Sequence, residues 1–507
     1  MGVILLFTLN KMNILFLVIA FIVPCIIGYL VIHLLDENKM LHSIAKWVMS
    51  YIFGMWIVSF IIFVLWFLHI TLSLPNIYIV LLLIIAALIF LIHKKYHTWN
   101  VFYGSWSGVV IPQERSRITL IVWLVFCVIC MIKVSSAFVF TLQSPTYVDD
   151  SLDKRNMRAK VFYYEKSLVL DKSKSNYLWM ISWPYNFEQE KKIPLRAYPP
   201  FNSILKFRIA SHLLEFNDEI VNIINPLSYL FFWLEIVVLL SYIMWLRYAF
   251  IGGIIYYTIP YLWIHASNPY VELFVSGDYL ITSLLLYLSI TYDDSKGHLY
   301  NMLFWIMLGL LILTKKEALV LSGGTLWLMY MIYIFGKYGY TNKNNILRSF
   351  SMFFKYTWPA LTIGLIRLGF IFYTWYGGVF LNHHSDASQN YFHEEVPSMF
   401  YQVIFEQANY NLIGIVWIMI ILFYGKYIIK NPIKYLYMAF GLSFLLMFYS
   451  MTSTGAAVEA IQQVGINRAL IEILPQLAII SYIVFINNSR DILDNFFNSF
   501  IENRIWK

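Results

Sequence analysis

The chain has 507 residues, of which 60% are hydrophobic, 19% aromatic and only 13% charged, with a formal net charge of +8 at pH 7. Soluble globular chains are about 25% charged, so this composition excludes a soluble enzyme, a disordered chain and a disulfide-stapled secreted scaffold. Apolar runs of about 17–25 residues cover nearly the whole chain, which indicates a multi-pass membrane protein.

An all-α polytopic architecture with about 13 transmembrane helices is therefore expected. A polar block of about 60 residues, 141–200, separates the fourth span from the fifth and forms most of one large loop. The predicted spans in chain order are 13–35, 47–71, 77–93, 118–140, 226–246, 249–266, 279–291, 299–314, 317–335, 356–376, 411–429, 433–450 and 468–486.

Basic residues in short loops predict the orientation. Loops 94–117, 336–355 and 426–434 are rich in Lys and Arg, as cytoplasmic loops are. These loops also account for the positive net charge, so no nucleic-acid partner is expected. The N-terminus is then outside and the C-terminus inside, although block 141–200 is itself basic, because a segment this long translocates largely regardless of its charge. The segments assigned to the outer face are 141–225, 267–278, 377–410 and 451–467.

The first candidate cluster on that face is YVDDSLDKRNMRAK, residues 147–160. Acids come first, including Asp149 and Asp150, and bases such as Arg158 follow at helical spacing. The pattern is typical of an amphipathic helix on the membrane surface. Taken alone, the pattern also fits a solvated helix start with an Asp cap and i,i+4 ion pairs on its exposed face.

Two further clusters lie along the outer face. The AYPP sequence contains Tyr198 and leads into a predicted amphipathic segment, 201–216, for which its prolines form a rigid turn. Aromatic residues here fit either a sugar face or an interfacial belt. In NPYVELFVSGDY, Glu272 and Asp278 are placed at the outer mouth of a helix, although the Gly-Asp step alone fits a helix start.

The last two clusters combine acids and bases near the membrane. LTKKEAL carries Lys315, Lys316 and Glu317 between two apolar stretches, so these residues either face a polar cavity or snorkel from a hairpin tip. INRALIEILP carries Arg468 and, one turn later, Glu472, which fit either a binding site or a local i,i+4 ion pair.

The order of these clusters resembles the GT-C superfamily of polyprenyl-phosphate-sugar-dependent glycosyltransferases. The likeness is greatest to the bacterial branch with a Thr-Lys-Asn-Glu-Gly motif, which is related to the protein O-mannosyltransferases and the lipid A aminoarabinose transferase. The family's Lys-Asn-Glu-Gly is Lys315-Lys316-Glu317-Ala318 here. The resemblance covers about 118–486, a catalytic membrane domain with outer loops 141–225 and 377–410. Residues 1–117 would be additional helices and 487–507 a cytoplasmic tail.

The resemblance implies an inverting transfer of a sugar from polyprenyl phosphate to a hydroxyl of a glycolipid, glycan or protein. The site would lie on the outer face of a bacterial plasma membrane. Asp150, with Asp149 as the neighbouring candidate, would be the catalytic base. The implied donor-phosphate ligands are Arg468, Lys315, Lys316 and Arg158. The implied substrate-orienting residues are Glu272, Asp278, Glu317 and Tyr198.

No cofactor is expected. The outer sequence HHSDASQNYFHEE, 383–395, is rich in metal-binding side chains but lacks the spacing of a zinc site, so a divalent metal is possible without being indicated. One alternative function is a transporter or flippase, which would need charges near the middle of helices. Another is an O-antigen-type polymerase or ligase, which shares the outer loop and the lipid-linked donor.

Overall fold

The computed structural model describes residues 11–97, 117–143, 156–168, 199–292, 295–339, 343–376, 393–407, 410, 412–453 and 464–504. Within these ranges every regular element is a helix, as predicted. The α-helices of at least seven residues are α1 Lys11–Leu35, α2 Ser43–Phe67, α3 Leu74–Tyr96, α4 Arg117–Gln143, α5 Met157–Glu165, α6 Phe201–Leu213, α7 Ile224–Ser241, α8 Leu246–Thr258, α9 Pro260–Ser267, α10 Glu272–Thr291, α11 Ser295–Thr314, α12 Thr325–Tyr338, α13 Lys343–Tyr376, α14 Glu395–Tyr401, α15 Ile413–Lys430, α16 Lys434–Ser453 and α17 Val464–Arg504.

The chain is a multi-pass integral membrane protein. Eleven of its described helices are long and apolar enough to cross a membrane, or twelve if α8 and α9, bent by 66°, form one broken span. Pro260 explains the bend, since proline cannot continue the hydrogen-bond ladder. The predicted span 356–376 falls within α13, which is not among these eleven, so a thirteenth span stays a prediction.

Burial separates central from peripheral helices. The apolar window of α10 is 94% buried, whereas that of α4 is 11% buried. Helix α10 packs closely against α7, because a methyl group on Gly277 would lie 2.5 Å from the ring of Phe232. Helix α4 instead exposes large apolar side chains, as a lipid-facing helix does.

Contacts at and near the ends of helices define two ends of the bundle. At one, which we call the basic end, Lys95 Nζ lies 2.5 Å from Glu37 Oε1, and Arg247 Nη2 lies 2.5 Å from Asp494 Oδ1. At the other, which we call the site end, the Thr141 hydroxyl donates to the Ser267 carbonyl, and the His393 N–H donates to the Thr452 carbonyl. The segments predicted to lie on opposite faces of the membrane thus lie at opposite ends of the bundle.

Helix α6 corrects one prediction. An amphipathic segment was expected at 201–216, but α6 has no exposed polar face, because every one of its residues is buried. Two of its basic side chains contact residues of other elements. Lys206 Nζ donates to Asn156 Oδ1 at 2.7 Å, and Arg208 Nη2 lies 2.8 Å from the Met55 sulfur. Tertiary packing has therefore overridden the polar pattern.

Candidate functional site

Four charged residues from three segments meet at the site end. Glu272 is the first residue of α10, Lys315 lies directly after α11, and Arg468 and Glu472 occupy the first turns of α17. We call these four residues the ion-pair cluster. The helix ends that carry them are brought together because α10 packs against both α11 and α17.

A single oxygen of Glu272 accepts three hydrogen bonds. Its Oε1 atom lies 3.1 Å from Arg468 Nε, 2.6 Å from Arg468 Nη2 and 3.2 Å from Lys315 Nζ. Lys315 also donates to Glu472 Oε1 at 2.6 Å. Lys315 thus links the two carboxylates, and charge-assisted bonds of this kind are stronger than neutral ones.

The cluster pairs buried acids with partly accessible bases. The side chains of Glu272 and Glu472 are 0% and 3% exposed, whereas those of Lys315 and Arg468 are 12% and 24% exposed. Burial opposes the charge on Lys315, but the two carboxylates outweigh it and raise the pKa of this amine. Lys315 is therefore protonated at neutral pH.

Aromatic and histidine side chains surround the cluster. The Arg468 guanidinium carbon lies 5.1 Å from the centre of the Tyr270 ring, within the range of a cation–π contact. The His265 ring lies 4.7 Å from that of Tyr270, and its Nδ1 is 3.9 Å from Glu272 Oε2. Ring surfaces beside partly exposed cations suit a ligand with both an anionic group and an apolar or sugar face.

The structure brings together three of the residues predicted from sequence, Arg468, Lys315 and Glu272. Arg468 and Glu472, which both lie in the described part of α17, do not form the local i,i+4 pair that was the alternative. Arg468 instead bonds Glu272, and Glu472 bonds Lys315. Glu317, also predicted, interacts electrostatically with Lys315. The alternative of a snorkelled tip is wrong for Lys315, whose amine turns inward to the carboxylates.

Asp278 does not lie at a helix mouth as predicted. Helix α10 begins at Glu272, so the Gly-Asp step is inside the helix and not its start. Six residues rotate an α-helix by about 600°, which leaves about 240° after one full turn, so Asp278 faces another side from Glu272. It is fully buried, and Trp56 Nε1 donates to its Oδ1 at 3.3 Å.

Other predicted residues lie elsewhere or outside the described ranges. Arg158 is buried on α5, with its guanidinium carbon 5.6 Å from the centre of the Phe162 ring. Asp149, Asp150 and Tyr198 lie outside the described residues, as do the side chain of Lys316 and most of loop 377–410. In the described part of the chain, no group of three or more His, Cys, Asp or Glu side chains is arranged to hold a metal ion.

One buried acid was missed by sequence analysis. Glu235 lies in the middle of α7, fully buried, and neither of its carboxylate oxygens has a hydrogen-bond partner among the described residues. It interacts electrostatically with Asp278 on α10. A lone acid within the apolar run LFFWLEIVVLLS was the available signal, since intramembrane carboxylates are costly and commonly functional.

The fold and the site define an all-α, multi-pass membrane protein with a buried ion-pair cluster where three of its helices begin or end. No family model, curated protein or solved structure matches this chain.

Proposed function

We propose that the protein is an inverting glycosyltransferase of the GT-C kind. It transfers a sugar from a polyprenyl phosphate to a hydroxyl of a cell-surface glycolipid, glycan or protein. The site end faces the outside of a bacterial plasma membrane, and the proposal includes 13 spans and the outer loop 141–225. The observation that carries it is the convergence of Arg468 and Lys315 on Glu272, since these are the residues that the resemblance assigns to donor phosphate and substrate.

The carboxylates of the cluster support a phosphate-binding role for its two cations. Two buried carboxylates keep Arg468 and Lys315 ionised and positioned when no ligand is bound. A phosphate that docks on the exposed part of Arg468 gains a charge-assisted contact without having to organise that side chain. Preorganised cations of this kind stabilise charge that grows during a reaction.

The proposed reaction is a single in-line displacement. The acceptor oxygen attacks the anomeric carbon while the bond from that carbon to the phosphate oxygen breaks. The hydroxyl proton passes to Asp150, and the leaving polyprenyl phosphate gains one negative charge, which Arg468 and Lys315 stabilise. Polyprenyl phosphate is a good leaving group, so the step needs a base but no general acid.

The direct test uses the purified full chain with a panel of polyprenyl-phosphate sugars and measures release of polyprenyl phosphate in the presence of cell-envelope acceptors. Release that falls strongly in Arg468→Gln but not in Lys430→Gln supports the proposal. Lys430 is a suitable control because it is an exposed cation at the end of α15, at the basic end of the bundle and so away from the cluster. Absence of release with the whole panel would count against the enzyme.

The buried acids favour a second candidate function, a transporter. Glu235 and Asp278 both lie inside candidate membrane spans and are fully buried. Ionisable side chains in the middle of helices are what a proton-coupled transporter would need. In proteoliposomes, a pH gradient that drives uptake of a lipid-linked sugar in the wild type but not in Glu235→Gln would favour transport. A Glu235→Gln variant with normal sugar transfer would favour the enzyme.

A further inference from the structure

A groove at the basic end lies apart from the ion-pair cluster. Its volume is about 880 Å³, within the range of about 300–1,000 Å³ that is typical of ligand sites. Helices α2, α4, α7 and α8 supply most of its wall. Its polar mouth includes His42, Tyr242 and Arg490, and its apolar wall includes Trp123, Phe126 and Leu234.

The groove changes from polar to apolar with depth. Helix α7 ends at Ser241 at the basic end, and Leu234 is seven residues, or about 10 Å, further into the bundle. Helix α4 starts at Arg117 at the same end, and Phe126 is nine residues, or about 14 Å, further in. These depths match one leaflet, since the hydrocarbon core is about 30 Å thick.

The groove is accessible from the lipid side. Trp123 on α4 is 43% exposed, and its neighbours Leu120 and Leu124 are also exposed. Helix α4 is the least buried of the candidate spans. A lipid that diffuses along the membrane can therefore reach the groove without crossing the protein.

The mouth carries positive charge. The Arg490 guanidinium carbon lies 3.7 Å from the centre of the Trp245 ring, which holds it beside the groove. Its Nε is 3.7 Å from Asp494 Oδ2, but Asp494 also pairs with Arg247 at 2.5 Å. Two guanidinium groups share one carboxylate, so this trio keeps one net positive charge.

We propose that the groove binds an anionic phospholipid of the leaflet at the basic end. The lipid phosphate lies beside Arg490, and an acyl chain lies along Trp123, Phe126 and Leu234. The polar mouth, apolar depth and lateral access match the shape of such a lipid. The Lys-rich loops at this end raise its local concentration. This inference does not rest on the proposed function.

Native mass spectrometry of the purified full chain tests the proposal, with phosphatidylglycerol or phosphatidylcholine added at equal concentrations. The wild type is expected to retain phosphatidylglycerol preferentially. Arg490→Gln should reduce that preference about fivefold, as expected for one basic residue near a lipid phosphate. Lys430→Gln, which removes a charge at the same end outside the groove, should leave the preference unchanged. Equal effects of the two variants would overturn the specific site.

Substitutions in the apolar wall of the groove test the proposal that an acyl chain binds there. Val238→Trp fills the groove and should reduce retention of both lipids. Trp123→Ala alters a lipid-exposed position that should not affect folding, and it should also weaken retention. The thermal midpoint of Val238→Trp shows whether that variant is folded. If both variants are folded and both retain the two lipids as the wild type does, the groove is eliminated as the lipid site.

Discussion

Arg468 donates through both Nε and Nη2 to the same oxygen of Glu272, although 196 residues separate them in the chain. This contact ties the second turn of α17 to the first residue of α10. Because that oxygen also accepts from Lys315, Glu272 is the central acceptor of the cluster. Substitution of Glu272 should therefore affect mainly the stability of the protein, whereas substitution of Arg468 should affect mainly the binding of a phosphate.

Glu272→Gln should destabilise the protein strongly. The variant leaves Arg468 and Lys315 as excess cations against one carboxylate, and removing one partner of a buried ion pair costs about 3–5 kcal/mol. Thermal unfolding in detergent measures the effect. Glu37→Gln is the matched control, because the Glu37–Lys95 pair is exposed and should contribute at most about 1 kcal/mol. Similar midpoints for the two variants would show that the cluster carries no special stabilisation.

Arg468→Ala should reduce sugar transfer more than Glu472→Ala does. Arg468 is the most exposed member of the cluster and the one placed to contact a ligand phosphate, whereas Glu472 bonds Lys315. Rates at saturating and limiting donor separate binding from turnover. Equal and mild effects of the two changes would indicate a structural network with no role in donor binding.

Asp150→Asn should lower transfer by about 10²–10⁴-fold, the range that general base catalysis contributes. The change preserves size and removes basicity, so membrane insertion and folding should be normal. Asp149→Asn should cost less, because the resemblance places the base at Asp150. Release of polyprenyl phosphate by purified protein is the assay. Normal turnover in both single variants and in the double variant would eliminate this pair and favour transport.

Single cysteines should report the orientation. Asn38 is exposed in the loop between α1 and α2 at the basic end, so Asn38→Cys should be protected from an impermeant thiol reagent in intact cells. Ser175→Cys, in block 141–200, should be labelled. Both variants need Cys25, Cys127 and Cys130 replaced first. Labelling of Asn38→Cys alone would reverse the proposed orientation.

His212 should make the protein acid-sensitive. Burial lowers the pKa of this imidazole from 6.5 to about 4. Its Nδ1 donates to the Arg208 carbonyl at 2.7 Å, so Nε2 accepts from the Tyr78 hydroxyl at 2.5 Å. The unfolded chain binds a proton more readily, so this contribution to stability is complete above about pH 6.5 and is lost as the pH falls toward 4.

The expected measurement is the thermal midpoint of wild type and His212→Gln between pH 7 and 4. The wild type should lose more stability than the variant over this interval, because the variant lacks the titrating ring. Parallel curves would show that His212 is not responsible.

The sequence by itself determined the membrane character, the positions of most helices and the segregation of loops to two ends. These properties depend on local sums of hydropathy over about 20 residues and on the charge of short loops. Helix α10 illustrates the limit. Its apolar run predicted a span from 279, but the helix begins at Glu272, because packing allows charged and small residues to continue it.

Only the tertiary structure decided which charges pair. Arg468 could have bonded Glu472 one turn away, and sequence spacing cannot distinguish that choice from a bond to Glu272 on another helix. The apolar run around Glu235 marked it as unusual, but only the packing of α7 against α10 showed that it is fully buried and interacts with Asp278. In a low-dielectric interior, partner choice depends on which helix ends meet and how far water is excluded, and neither quantity is local in sequence.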